Sequence, residues 1–288
     1  MANLKEIRGR ISSISSTMQI TSAMKMVSAA KLKKAQDAIV MLRPYSEKLQ
    51  EIIENVSAAS DAENISEFAI EREVKKVLFI TVTSNRGLAG AFNSSVIKEL
   101  NAQFSANENV DVEVLTIGKK AFDALRKNKT VYENHSSLFD NLSFDHVSNM
   151  TSKVMSDFKA GKFDKVYVVY NKFINAATQE VVTEQVLPIA VSAEKTSSDV
   201  NVDYIFEPGR QEILETLIPK SIKTQIFKAV LDSVASEHGA RMTAMHKATD
   251  NAEALRNDLK IFYNKARQAA ITNEILEIVS GAEALKNS

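Results

Sequence analysis

The chain has 288 residues, 44% of them hydrophobic, and its 36 basic side chains balance 36 acidic ones. That is enough apolar surface for a packed core, and zero net charge leaves no global field to draw the chain onto nucleic acid or an anionic membrane. Cysteine is absent, which excludes disulfides, thiolate metal centres and thiol nucleophiles.

Leu4, Ile7, Ile11, Ile14 and Met18 recur in steps of three and four, and the register resumes at Leu32, Ala35, Ile39, Leu42, Leu49, Ile53 and Val56. Such alternation is the mark of a helix that pairs with another helix. Pro44 falls inside the pattern and predicts a kink or break at Arg43 and Pro44. Charge is uneven here: residues 1–44 carry eight basic and two acidic side chains, residues 45–72 seven acidic and two basic. A basic end followed by an acidic segment points to partners that meet one end at a time. Residues 1–36 share the basic, Ser-rich composition of mitochondrial targeting peptides, but the heptads that begin inside them argue for a folded segment. The acidic, Ser- and Ala-rich stretch from Ser57 to Glu71 reads as a loosening helix end and linker.

KKVLFITVTS, VDVEVLTIG and DKVYVVYNKF are β-branched runs, separated by helical patterns over Ser94–Asn107, Lys119–Lys127 and Phe144–Ala160. Strands alternating with helices predict a mainly parallel, Rossmann-like sheet. The later runs EVVTEQVLPI and VDYIFEP are expected as edge strands. From Lys220 to Leu285 there is no proline, and Met245, Ala248, Ala252, Leu255, Leu259, Phe262, Ala266 and Ala269 keep the three-four alternation. A helix over that span would be about 100 Å long and unstable without a partner along its length. The N-terminal heptads are the candidate. The expected fold is therefore α/β, with a long antiparallel two-helix coiled coil from both ends and an inserted α/β domain. The divisions are 1–72, 73–208 and 209–288.

Catalytic motifs are scarce. The loop TSNRGLAGAFN follows the first strand, but Gly87 and Gly90 match neither GxGxxG nor GxxxxGK[ST], so a structural turn carrying Arg86 is preferred to a phosphate cradle. His135, His146, His238 and His246 form no HExxH pair. The carboxylate pairs Glu274 with Glu277 and Asp250 with Glu253 are ordinary for a solvated helix face. Methionines on the two arms (Met18, Met24, Met26, Met242, Met245) suit an irregular interface. No cofactor is expected. Between Ile20 and Ala30 the seam falls on Thr21, Lys25 and Ser28, which leaves Ile20, Ala23, Met24, Met26, Val27, Ala29 and Ala30 off it. Ala270, Ile271, Ile275, Ile278 and Val279 likewise flank the seam. Either something else encloses the helices, or a stutter turns Ile20, Met24 and Val27 into the core.

The opening MANLKEIRGRISSISSTMQITSAMKMVSAAKLKKAQ and the closing YNKARQAAITNEILEIVSGAEAL resemble those of ATP synthase gamma chains, and SNRGLAGAFN and NKFIN carry the resemblance through the middle. It implies a non-catalytic central rotor that couples proton translocation to ATP synthesis and hydrolysis. The implied partners are three alpha and three beta subunits around the coiled coil, with the epsilon subunit and the c-ring against the α/β domain. It also implies a peripheral place on the cytoplasmic face of a bacterial inner membrane, with membrane contact only through the complex and no nucleic acid. By motif, Met24 lies near the bearing, while Arg241, Gln268 and Thr272 meet the catalytic subunits. Arg86, Gly87 and Ala89 belong to a loop near epsilon, the c-ring and a catalytic lobe. Gly239 stands where the pattern usually has Ala, and Ala89 where many relatives have Cys. Two other readings compete: a coiled-coil adaptor gripping phosphates with Lys31, Lys33 and Lys34, and an enzyme using the α/β domain as a nucleotide site.

Overall fold

The computed structural model describes residues 4–58, 67–189 and 209–286. Helix α1 spans Leu4–Ala58 and helix α5 Arg210–Lys286. Between them lie β1 (Lys76–Val82), α2 (Phe92–Ala106), β2 (Asp111–Ile117), α3 (Lys119–Leu125), β3 (Thr130–Asn134), α4 (Phe144–Lys159), β4 (Lys165–Phe173) and β5 (Gln179–Leu187), with a 3-10 turn at Ser136–Phe139. The chain forms two compact units. One comprises Met1–Ser28 with Met242–Ser288, the other Ala29–Arg241.

In the larger unit the five strands run in the order β3-β2-β1-β4-β5. The pairs β3–β2, β2–β1 and β1–β4 are parallel, and β5 joins β4 antiparallel. Both faces are covered, so β1 reads as a continuous apolar run and is buried from Val77 to Val82. On one face Val96, Leu100 and Phe104 of α2 and Ala121 and Leu125 of α3 pack on Val77, Phe79, Val114 and Val169. The other core joins Leu78, Ile80 and Val82 with Val147, Val154 and Phe158 of α4 and Leu214, Ile218, Ile222 and Ile226 of α5. Ser143 caps α4 by accepting from the His146 N–H. Leu32, Ala35, Ile39, Leu49, Ile53 and Val56 of α1 are all buried, as their spacing predicts.

Several expectations are corrected. Of the kink or break expected at Arg43 and Pro44, the break is absent: the helix runs through Pro44. Proline removes the N–H that would serve the Val40 carbonyl, but Val40 and Pro44 are both exposed, so water can take that bond. α5 likewise begins at Arg210 and takes in Pro219, whose unserved carbonyl, that of Glu215, is on an exposed residue. Strand β3 was missed: its five residues are too short to show a period, and its interior positions are only half-buried. EVVTEQVLPI supplies the edge strand β5, whereas VDYIFEP lies outside the described residues.

In the smaller unit the helices are antiparallel. Arg8 donates to the Tyr263 hydroxyl at 2.7 Å and lies over its ring, and the Thr21 and Thr249 hydroxyls bond at 2.8 Å. Rising numbers on α1 thus meet falling numbers on α5. The seam of α1 is as read, with Ile7 and Ser28 buried and Ile11, Ile14, Met18, Thr21 and Lys25 half-buried. Ile20 (60% exposed) and Val27 are outside, which rejects the stutter. On α5 the seam runs Met245, Thr249, Ala252, Arg256, Leu259, Tyr263 and Ala266, with Ala248 beside it. Leu255 and Phe262, expected in the seam, are about half exposed, at 51% and 50%, and Ala269 is also exposed. Every seventh position agrees with the expectation, while the alternate one lies a residue later. The Thr–Thr bond and the Arg8–Tyr263 stack set that choice, and an apolarity count cannot see either.

Candidate functional site

Strand β1 ends in the loop 83–91. Thr83 donates its N–H to the Ile117 carbonyl, and Gly118 (φ +112°) lies so close that a Cβ there would meet Thr83 O at 2.0 Å. Only glycine permits that approach. The Ser84 hydroxyl is 2.6 Å from the Arg86 carbonyl and 3.0 Å from Asn93 Oδ1, which also accepts the Ser84 N–H. Asn85 bonds the Ser136 carbonyl and accepts from the Lys119 N–H. The turn needs positive φ at Leu88 (+64°) and Gly90 (+57°). Arg86 and Leu88 point to solvent, Gly87 is half-buried, and Ala89 is 1% exposed.

In a doubly wound sheet, ligands enter where the strand order reverses, here the crevice between the C-terminal ends of β1 and β4. That crevice is occupied by the chain itself. Asn171 Nδ2 donates to the Phe92 carbonyl at 3.1 Å, and Ser236 Oγ of α5 donates to the Asn171 carbonyl at 3.0 Å. A Cβ at Gly239 would sit 3.1 Å from the Ala176 carbonyl oxygen, so a residue costing about 1 kcal/mol of helix propensity lets α5 lie against that turn. Two residues on, Arg241 Nη1 pairs with Glu237 at 2.5 Å while Nη2 donates to the Arg86 and Gly87 carbonyls at 3.2 and 3.3 Å.

This segment of α5 holds titratable groups away from water. Burial pushes the Asp232 carboxyl up to about 6, against the pull of Lys228 and Arg43. Burial raises Glu237 too, opposed by Arg241. His238 is lowered to about 4 by burial, then by Arg241 and Lys31, and its Nδ1 has no hydrogen-bond partner. Tyr170 is raised by burial and by Glu184, to which its hydroxyl donates at 2.8 Å.

Of the residues singled out from the sequence, Arg241, Arg86 and Gly87 come together, and Ala89 lies buried beside them. Met24 is half-buried on α1, where its carbonyl accepts from Ser28 Oγ. Gln268 and Thr272 are exposed on α5. Sequence reading missed Leu88, Ser236 and Glu237. The i, i+4 spacing of Glu237 and Arg241 was a usable signal. Nothing local marks Leu88 as left-handed. Among the described residues no cluster of His, Asp or Glu could hold a metal ion, and no helix is long and apolar enough to cross a membrane. An open groove of about 560 Å³, lined by Phe104, Asn107, Val112, Lys127 and Lys129, lies at the opposite end of the strands from this loop.

Comparison with known proteins gives one family. The ATP synthase family matches residues 3–285. The chain is 62% identical to the ATP synthase gamma chain of Flavobacterium psychrophilum over 99% of its length and all of that protein, and 52% identical to the gamma chain of Cytophaga hutchinsonii over the whole of both. Among solved structures it resembles a chain of the Tetrahymena thermophila mitochondrial ATP synthase central stalk and c-ring, at 26% identity and a TM-score of 0.60, covering 80% of this chain and 99% of that one. A chain of the Euglena gracilis mitochondrial ATP synthase shares the fold at 21% identity and a TM-score of 0.68, covering 98% and 94%.

Proposed function

Since the chain belongs to the ATP synthase gamma chain family, the central-stalk subunit of F-type ATP synthase, we propose that its work is mechanical and non-catalytic. Its rotation inside a ring of three alpha and three beta subunits presents an asymmetric surface to each catalytic site in turn and biases their open and closed states. The energy enters as proton translocation through the c-ring, about 2.3 kcal/mol per charge per 100 mV. The epsilon subunit and c-ring meet the α/β unit, on the cytoplasmic face of a bacterial inner membrane. Met24 lies at the bearing, and Gln268 and Thr272 face catalytic-subunit loops.

The observation that carries this reading is the outward apolar belt of the coiled coil. Ile20, Met26, Val27, Leu255, Ile261, Phe262, Ile271, Ile275, Ile278 and Val279 all face out. From Arg267 to Glu283 every described side chain is exposed. A helix apolar on its outer faces calls for an enclosing partner. Neither competing reading requires one: an adaptor gripping phosphates needs a basic exterior, and a nucleotide enzyme needs an open crevice.

A disulfide test decides it, helped by a chain with no cysteine of its own. Ala89 is too deeply buried to reach a partner, so the cysteine belongs at Leu88. With Leu88→Cys and a cysteine on the facing lobe of a catalytic subunit, oxidation should abolish steady ATP hydrolysis by the assembled complex, and reductant should restore it. Full turnover at complete crosslinking would mean the loop need not move past that subunit, and the rotor reading would fail.

A further inference from the structure

Arg241 is the buried arginine of the α/β unit, 8% exposed, although its family motif associates it with a partner. Its guanidinium is committed at home. One nitrogen pairs with Glu237, itself mostly buried, and another is shared by two consecutive carbonyls of one turn. That turn needs support from outside its own sequence. Leu88 has φ +64°, a left-handed conformation that is strained for a residue with a Cβ. It also leaves a large apolar side chain 66% exposed, next to the exposed Arg86. The supports on its first half are the Ser84 hydroxyl, on the Arg86 carbonyl, and Arg241, on the carbonyls of both Arg86 and Gly87. The planar fork spreads its donors so that one nitrogen faces the carboxylate and the other the two carbonyls, whereas a lysine would have to reach all three from one compact ammonium.

We infer that Arg241 is a positioning residue: aligned by Glu237, it clamps the Arg86 and Gly87 carbonyls and so sets how the loop offers Arg86 and Leu88 to a partner subunit. A cation beside an exposed leucine on a rigid turn matches a partner surface with a carboxylate next to an apolar patch. The clamp stands on the geometry alone; the partner rests on the central-stalk reading. It follows that losing Arg241 acts on coupling through the loop, not through a lost contact of its own.

Trypsin reads the clamp directly, because the Arg86–Gly87 bond is a tryptic site whose carbonyl is one of the clamped groups. In the full-length chain, cleavage after Arg86 is measured against cleavage after the exposed Lys127. Arg241→Met should raise that ratio about tenfold, the loss of charge-assisted bonds to a carbonyl. Glu237→Gln should raise it about threefold, and Arg241→Lys should recover only part of the protection. If both bonds in Arg241→Met are cut faster together, the unit has unfolded, and Arg241→Lys, which keeps charge and volume, decides: a raised ratio supports the clamp and a wild-type ratio overturns it. In the assembled complex, proton pumping per ATP hydrolysed is compared for Arg241→Met, Leu88→Ala and the double variant. A double variant no worse than the worse single supports action through the loop, and additive losses overturn it. A raised cleavage ratio with normal coupling in all three variants would leave the clamp standing and remove the partner.

Discussion

In the α/β unit Leu78, Phe79, Ile80, Leu115 and Phe158 have no exposed surface, whereas among the described residues of the coiled-coil unit Ile7 and Met245 are the only large apolar side chains that are buried. The two regions have comparable apolar content along their helices but place it differently. The α/β unit turns its apolar side chains onto one another across a sheet covered on both faces. The coiled coil keeps a thin seam of Ala, Thr and half-buried aliphatics, pinned by hydroxyls and an arginine–tyrosine stack, and turns much of its apolar surface outward. One region is stabilised by its own core. The other, on the central-stalk reading proposed above, is completed by what surrounds it, because a long helix with a weak seam is marginal in water.

The largest test of that contrast is truncation. Phe158→Ala in the α/β core should cost about 3–5 kcal/mol of stability in urea unfolding of the free chain. Ile278→Ala, on the outer belt, should cost less than about 0.5 kcal/mol there and show itself only in assembly with partner subunits. Equal costs in the free chain would erase the distinction between the regions.

A smaller effect concerns charge. The coiled coil leaves His246 and Asp250 on its surface, but the α/β unit buries Asp232 with its pKa raised to about 6. A raised carboxyl pKa means the folded state favours the protonated form. The stability this gives is full below the ordinary value of 3.8 and is lost as pH rises through about 6. Asp232→Asn should therefore stabilise the chain by about 2 kcal/mol at pH 7.5, with the gain vanishing by about pH 3.5. His238 has the opposite slope: its neutral form contributes fully above 6.5, and that contribution is lost as pH falls through about 4. Denaturation midpoints of the Asp232 variant across this range check the sign, and a gain that persisted at low pH would contradict the burial account.

The smallest test lies in the seam. Thr21→Val removes the bond across the seam and leaves Thr249 Oγ1 only its bond to the Met245 carbonyl; it should weaken the helix pair locally by about 1 kcal/mol, while adding Thr249→Val, which sets apolar groups against each other, should recover most of the loss. Hydrogen exchange of residues 242–266 measures it. If single and double variants exchange alike, the hydroxyl pair does not set the register.

Periodicity and composition alone determined a good deal. A three-four repeat at each end and three β-branched runs between helical patterns specify two long helices and a mainly parallel sheet. These are local properties, written in the spacing of side chains along one element. They also located the seam residues Thr21, Lys25 and Ser28 and the outward face beside them. What the sequence could not decide were choices made between elements. Leu255 and Phe262 look like core by hydrophobicity, yet the seam passes through Thr249, Arg256 and Tyr263, with Thr21 opposite Thr249 and Arg8 opposite Tyr263. Arg241 looks like a surface contact, yet it is withdrawn because two carbonyls more than 150 residues away face it. Pro44 looks like a kink or a break, yet α1 continues because the carbonyl it orphans falls on an exposed position. In each case the outcome depends on which atoms lie across a gap from one another, and that is a property of the packed chain, not of any window along it.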